Sequence, residues 1–514
     1  RYSPMTARRE SVPSRSRPLQ APSSMVFSAP FFLYLFLPLF LAVYHAIPAR
    51  FRIGWILAGS WVFYAFWRPD FLVLVILVSA GNWAAGSASH RLKPYRPDAA
   101  KTFVGLAIVF DLAVLGYFKY FNFGVDSLNS LLALAGIDPI HAWRVVLPVG
   151  ISFYVFQAMS YVIDVYRGDA PPAERFTDMA AYIALFPQLV AGPILRYKDL
   201  ADQLRSPDYR PGGLSYGVSR FMAGFCRKVL VADSVAPIAR AAFALAAPSA
   251  ADAWLGVLAY SVQLYFDFSG YSDMAVGLGH MMGFTFMENF DAPYRSTSIT
   301  EFWRRWHISL STWLRDYLYV PLGGNRKGIA RTYLNLALVM TIGGLWHGAS
   351  WNFVLWGVWH GTLLCIERLA GVSGRRTGNG STVEGAAVLF KLALRGLAAQ
   401  LAVALGWVVF RAADLPAAFR MLSAMAGAGG WVQSADMAWR VGGLEMATLA
   451  IATVYLAIEP RAADRARIRP GVVGHGTDTA ARTVFKAAVL AAVFIAAALK
   501  LSADSYSPFL YFQF

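Results

Sequence analysis

Apolar runs long enough to cross the roughly 30 Å hydrocarbon layer of a bilayer recur from Val26 almost to the C-terminus, about 11 of them. The first, MVFSAPFFLYLFLPLFLAVYHAI from Met25, is followed by further spans and by no small-residue cleavage site. It reads as an uncleaved span rather than a signal peptide, with Met25 as a natural start. Further spans are predicted over Ile53–Trp67, Phe71–Ala88, Thr102–Phe121 and Val145–Tyr166. Later ones cover Tyr333–Trp346, Phe353–Ile366, Ala386–Phe410, Leu444–Ile458 and Val484–Leu501. Between Thr177 and Phe286 the pattern breaks. Pro187, Gly192 and Pro193 interrupt one segment, and Arg220, Arg227 and Lys228 punctuate the next, which predicts re-entrant or interfacial helices. The fold class is an all-α polytopic membrane protein, with residues 25–514 as a single integral membrane domain and no room for a sizeable soluble one.

Composition agrees: 57% of the 514 residues are hydrophobic and only 15% charged, which excludes a soluble multidomain protein. The formal net charge of +16 would suggest nucleic-acid binding in a soluble chain. Here the basic residues gather in short loops at Arg91–Lys101, Arg295–Arg331, Arg368–Arg376 and Arg461–Arg482, so membrane lipid rather than nucleic acid is the partner, and these loops are assigned to the cytoplasm. That orientation leaves the start of the first span outside, where the five arginines of Arg1–Ser24 oppose the rule; this polar stretch is expected to be a disordered or non-native extension. Gly371–Gly385 reads as a flexible connection. Cys226 and Cys365, far apart and without metal-ligand spacing, are assigned no function.

Two segments carry the candidate chemistry. FWRRWHISLSTWLRDYLYVPLGGNR, Phe302–Arg326, is too charged to span a bilayer, and GGLWHGASW, Gly343–Trp351, sets His347 in an apolar stretch where an imidazole needs a reason. Ser298 and Glu301 form a capping-box pattern. Phe302, Trp306, Leu310, Trp313 and Tyr317 then recur at helical spacing, with Arg304, Arg305, Ser311 and Arg315 largely on the other side. By itself that pattern describes an amphipathic helix lying on the membrane surface as an anchor. His307, at the junction of the two faces, gains interest from His347 forty positions on (347 − 307), and the glycines around His347 permit a broken helix and a cavity. His360, in VWHG, ranks below both.

Asp267 and Asp273 lie in the apolar segment YSVQLYFDFSGYSDMAVGLG and are expected to face protein or water, hydrogen-bonded to tyrosines, serines or backbone around a cavity. No metal-ligand spacing, P-loop or dinucleotide fingerprint is present, and GGNR at Gly323–Arg326 is too short to cradle a phosphate alone. No bound cofactor is called for. Paired interrupted helices in two related halves, the mark of a secondary transporter, are not found; a channel or transporter is nevertheless the non-enzyme alternative.

At these residues the chain resembles the membrane-bound O-acyltransferase family, in the bacterial branch that acetylates exopolysaccharides. The same resemblance runs through VFSAPFFLYLFLP, LPVGISFYVFQAMSYVIDVYRGD, FPQLVAGPILRYKDL, LYFDFSGYSDMAVGLG and the terminal KLSADSYSPFLYFQF, from about Met25 to Phe514. It implies a ring of about 11 tilted helices around a thinned centre. His347 matches the family's catalytic histidine and His307 the second motif histidine. Acyl transfer from a thioester to a hydroxyl needs a proton acceptor, and neutral imidazole suits that task. His307, with Arg304, Arg305 and Asn325, is expected to position the donor or polarise its carbonyl. The implied activity is transfer of acetyl from acetyl-CoA in the cytoplasm toward a periplasmic polysaccharide, alginate first, through a periplasmic acetyltransferase partner. Cellulose or peptidoglycan acetylation, or D-alanyl transfer to teichoic acid, are the alternatives within the family, and a channel or transporter for an acetyl carrier is the alternative outside enzymes. The expected location is the bacterial inner membrane.

Overall fold

The computed structural model describes residues 26–190, 192–207, 212–371, 386–461, 480–503 and 510. The Arg1–Ser24 extension, Met25 and nearly all of the Gly371–Gly385 connection lie outside them. Every regular element among the described residues is helical, and four helices are long and apolar enough to cross a membrane: Pro69–Leu92, Pro97–Leu134, Phe390–Arg411 and Ala481–Ala503. Shorter apolar helices cover Phe32–Ala46 and Gly443–Ile458.

The centre is the 32-residue helix Ala250–Met281, about 48 Å long and buried along most of its length. Ser249 and Asp252 start it with a complete capping box, each side chain taking the other's backbone N–H at 3.2 and 3.1 Å. Helix Gly213–Cys226 packs along it through facing glycines: a methyl added at Gly217 would lie 2.6 Å from the Gly277 carbonyl oxygen, and one at Gly224 2.5 Å from that of Gly270. Such small-residue seams bring membrane helices into backbone contact.

The region between Thr177 and Phe286 combines the expected short helices, Phe176–Ala184, Phe186–Leu189 and Tyr197–Arg205, with this long central one. Arg220, Arg227 and Lys228 do not end a helix. They lie within Gly213–Cys226 and the π-helical turn Arg227–Ala232, because acids on the central helix neutralise them. Two predicted spans also shift. The Thr102–Phe121 segment belongs to a continuous run from Pro97 to Leu134, passing through a π-helical turn at Gly116–Tyr120. The Val145–Tyr166 helix begins only at Ile151, after a turn in which Gly150 takes the left-handed conformation at φ +75° and to which Pro148 brings no backbone N–H.

Ile329–His347 and Trp351–Leu369 form the hairpin that presents the second histidine motif. Its helices meet at glycine: a methyl at Gly357 would lie 2.4 Å from the Met340 carbonyl oxygen, and one at Gly344 2.2 Å from that of Phe353. Because the obstacles are backbone, neither helix can yield locally. Gly357→Leu is expected to destabilise the protein by about 1–3 kcal/mol or more. Gly105→Ala, with nothing within 4 Å of the added methyl, should leave stability unchanged or slightly raised. Thermal unfolding in detergent checks both, and an unchanged midpoint for Gly357→Leu would contradict the close packing.

Candidate active site

The first motif enters the molecule as a broken helix. Ser298 caps Ile299–Arg305, its hydroxyl accepting the Glu301 N–H at 3.0 Å. Glu301 does not complete the capping box: its carboxylate accepts the Thr297 N–H at 2.8 Å and meets Arg305. The remaining N-terminal donors, the N–H groups of Ile299 and Thr300, go to Glu367 near the end of the neighbouring Trp351–Leu369 helix. From there the short helix runs antiparallel to that neighbour. Trp303 packs on His360 and Trp356, with ring centroids 5.2 and 5.6 Å apart.

At His307 the chain breaks. Its φ of +45° is the left-handed region that a non-glycine residue enters only when its surroundings impose it. Asn289 supplies that imposition. The Asn289 carbonyl accepts the Ile308 N–H at 3.0 Å, and its side-chain oxygen accepts the Ser309 N–H at 3.2 Å and the Ser309 hydroxyl at 2.9 Å. One asparagine thus caps the next helix, Ile308–Leu314, from outside. Because a backbone N–H can only donate, the atom facing it is the amide oxygen. That oxygen also lies 3.2 Å from His307 Nδ1, which selects the tautomer protonated on Nδ1 and leaves Nε2 as the basic nitrogen.

The two motif histidines come together. His307 is fully buried and His347 nearly so, with ring centroids 6.3 Å apart. Trp346, Trp356 and Phe410 surround His347 at 5.1, 5.1 and 5.4 Å, while Phe268 and Trp346 flank His307 at 4.7 and 5.9 Å. His360 lies one layer away among Trp303, Trp356 and Trp407; neither of its ring nitrogens has a hydrogen-bond partner among the described residues.

The surface-anchor pattern is overturned. Phe302, Trp306, Leu310, Trp313 and Tyr317 are all buried, with Trp313 stacked on Phe156 at 3.7 Å. The aromatic face packs against protein rather than lipid, and the break at His307 turns its two halves in different directions. Arg304 and Asn325 are exposed, whereas both histidines are buried, and Arg305 is held by Glu301 and Asp291 at 3.0 Å each.

Asp267 finds one of the expected backbone partners, but the main partners of Asp267 and Asp273 are basic side chains rather than tyrosines or serines. Asp267 pairs with buried Lys228 at 2.9 Å and accepts the Leu510 N–H at 2.9 Å; Asp273 receives Arg220 at 2.6 Å and Arg227 at 2.5 Å. Charged groups placed among helices are retained when an opposite charge is at hand. Both acids therefore tie the central helix to its neighbour. Among the described residues no cluster of three His, Cys, Asp or Glu side chains is placed to hold a metal ion. Cys226 and Cys365 are unpaired thiols.

Sequence reasoning passed over Asn289, for which no local pattern exists, and Lys119, which stood in view as an intramembrane cation in GYFKY. Lys119 donates to the Trp346 carbonyl, one residue from His347.

The model of MBOAT, the membrane-bound O-acyltransferase family, matches residues 174–377. The chain is 49% identical to the probable alginate O-acetylase AlgI of Azotobacter vinelandii, over 95% of this chain and 100% of that protein. It is 46% identical to the protein of the same description in Pseudomonas aeruginosa, with the same coverage. The peptidoglycan O-acetyltransferase of Helicobacter pylori is 33% identical over 79% of this chain and 80% of its own.

Removing the Asn289 side chain strips an acceptor from the Ser309 N–H, the Ser309 hydroxyl and His307 at once. Asn289→Ala is expected to cost about 1–3 kcal/mol, read as a lower thermal midpoint in detergent. A change below about 0.5 kcal/mol, the scale of a neutral surface substitution, would show the external cap to be dispensable.

Proposed function

The chain belongs to the membrane-bound O-acyltransferase family and is an O-acetyltransferase, and from that premise we propose that it carries acetyl from cytoplasmic acetyl-CoA across the bacterial inner membrane for O-acetylation of periplasmic alginate. The observation carrying this reading is the buried His307–His347 pair inside an aromatic enclosure. In the proposed step an acceptor hydroxyl oxygen bonds to the thioester carbonyl carbon and the carbon–sulfur bond breaks. The hydroxyl proton passes to His347 and then to the departing thiolate. His307, its Nδ1 engaged by Asn289, helps to position the donor or polarise its carbonyl. The surrounding indoles exclude water that would otherwise hydrolyse the thioester.

The direction of transfer rests on depth and charge. Lys93 donates to the Tyr166 carbonyl, Arg167 to the Asp316 carbonyl at 3.3 Å and Arg196 to the Asp316 carboxylate at 2.6 Å, so several basic segments share one end of the molecule. We assign that end to the cytoplasm. Along the Trp351–Leu369 helix, Trp356, which touches His347, lies about 16 Å from Glu367 at the basic end and about 8 Å from Trp351 at the other. Chemistry at that depth favours delivery to the far side. Oblique helices around a thinned centre, about 11 in the full ring, suit such a site; several described helices are too short to span an unthinned bilayer upright. Alginate is favoured over peptidoglycan because the relatives described as alginate O-acetylases match at higher identity and over more of the chain.

Reconstitution in liposomes with labelled acetyl-CoA inside tests this reading. His347→Ala should lower acetyl loss from the thioester by about 10²-fold or more, the scale of a lost general base. External alginate should become labelled only after a periplasmic acetyltransferase is added, since a long polymer needs a cleft to bind it. Full activity of His347→Ala would refute the assignment of the base, and efficient labelling of alginate without a second protein would refute the relay.

A further inference from the structure

The helix that ends in His347 finishes without the usual backbone return: Gly348 is extended, with φ −162° and ψ 151°. Its last carbonyls therefore need partners from elsewhere. Two consecutive side chains provide them. Lys119 donates to the Trp346 carbonyl, and the Tyr120 hydroxyl donates to the Leu345 carbonyl at 2.8 Å. Both stand in the π-helical turn Gly116–Tyr120 of the long Pro97–Leu134 run. A π-helical turn inserts one extra residue, and here it turns two neighbouring side chains toward the same helix end.

Trp346 is held on every polar and apolar feature it has. Lys119 lies 5.6 Å from its ring centroid and also donates to the Ser152 hydroxyl at 2.9 Å. The Trp346 indole N–H donates to the Ser152 carbonyl at 3.4 Å, and Phe153 and Phe156 pack on its ring at 5.3 and 5.6 Å. Among the described residues Lys119 has no carboxylate within ion-pair distance, unlike Lys228, which pairs with Asp233 and Asp267. Its donors go instead to the Ser152 hydroxyl and to a carbonyl at the helix C-terminus, the end that carries partial negative charge.

We propose that Lys119 and Tyr120 are positioning residues that hold the end of the Ile329–His347 helix, and through Trp346 fix the imidazole of His347 against the reacting thioester. The inference rests on the reading of His347 as proton acceptor. A misplacement of about 1 Å at such a group costs on the order of 10²-fold in rate, which sets the scale of the effect.

The test compares Lys119→Met, Lys119→Arg, Tyr120→Phe and His347→Ala at equal protein in liposomes with acetyl-CoA inside and a periplasmic acetyltransferase and alginate outside as acceptor, following loss of acetyl from acetyl-CoA across a range of donor concentrations. Lys119→Met should lower kcat by about 10- to 100-fold while KM for acetyl-CoA stays within about threefold. Lys119→Arg, which keeps the charge and the donors, should recover most of that loss, and Tyr120→Phe should lower kcat by about 3- to 10-fold. A kcat for Lys119→Met within twofold of the parent, or Lys119→Arg as impaired as Lys119→Met, would overturn the proposal. Should Lys119→Met fail to accumulate, Tyr120→Phe decides alone, since it removes one hydroxyl and keeps the ring: an unchanged kcat would overturn the proposal. An active His347→Ala would instead overturn the reading on which the inference rests, and a dead His347→Ala beside a fully active Lys119→Met would overturn the inference alone.

Discussion

Backbone polar groups away from water must find partners within the protein, and a site built from broken helices multiplies the helix ends that need them. At each break a side chain from a distant segment answers. Glu367 takes the N–H groups at the start of Ile299–Arg305, Asn289 takes those at the start of Ile308–Leu314, and Lys119 and Tyr120 take the last carbonyls before His347. The positions of both motif histidines follow from these contacts. His307 sits at the residue where one short helix stops and the next begins, and its left-handed backbone is tolerable because Asn289 holds the chain after it while the Asp291 N–H donates to the Arg305 carbonyl before it.

The same constraint explains why the charged groups of the central helix are structural. Asp267 and Asp273 meet Lys228, Arg220 and Arg227 across a seam of glycines, so close backbone approach and charge neutralisation occur on the same pair of helices. Separating these charges would leave ions in an environment that solvates them poorly. Their contacts hold the scaffold, and the aromatic enclosure a few residues away is left to the imidazoles.

Much of this was legible along the chain. The helical class, most helix positions and the interest of His307 beside His347 follow from long apolar runs and from two histidines placed where imidazoles are costly. What failed did so for identifiable reasons. Helical periodicity from Phe302 to Tyr317 is real, but periodicity does not distinguish a helix lying on lipid from two short helices packed in protein, and nothing local announces a left-handed residue at His307. Asn289 acts through tertiary contact eighteen positions from His307, which no spacing rule reaches. Arg220, Arg227 and Lys228 read as interruptions because their acids lie on another helix. Lys119 was the exception: an unexplained lysine in an apolar span was itself the signal.

The central claim is that acyl transfer takes place between the two imidazoles. A structure of the protein in a lipid nanodisc with a non-hydrolysable acetyl-CoA analogue tests it most directly. The account predicts the acyl carbonyl carbon inside the aromatic enclosure, with a ring nitrogen of His347 within about 4 Å of it, or one water further, the reach of a general base. An analogue bound with its acyl group outside that enclosure and remote from both histidines would contradict it.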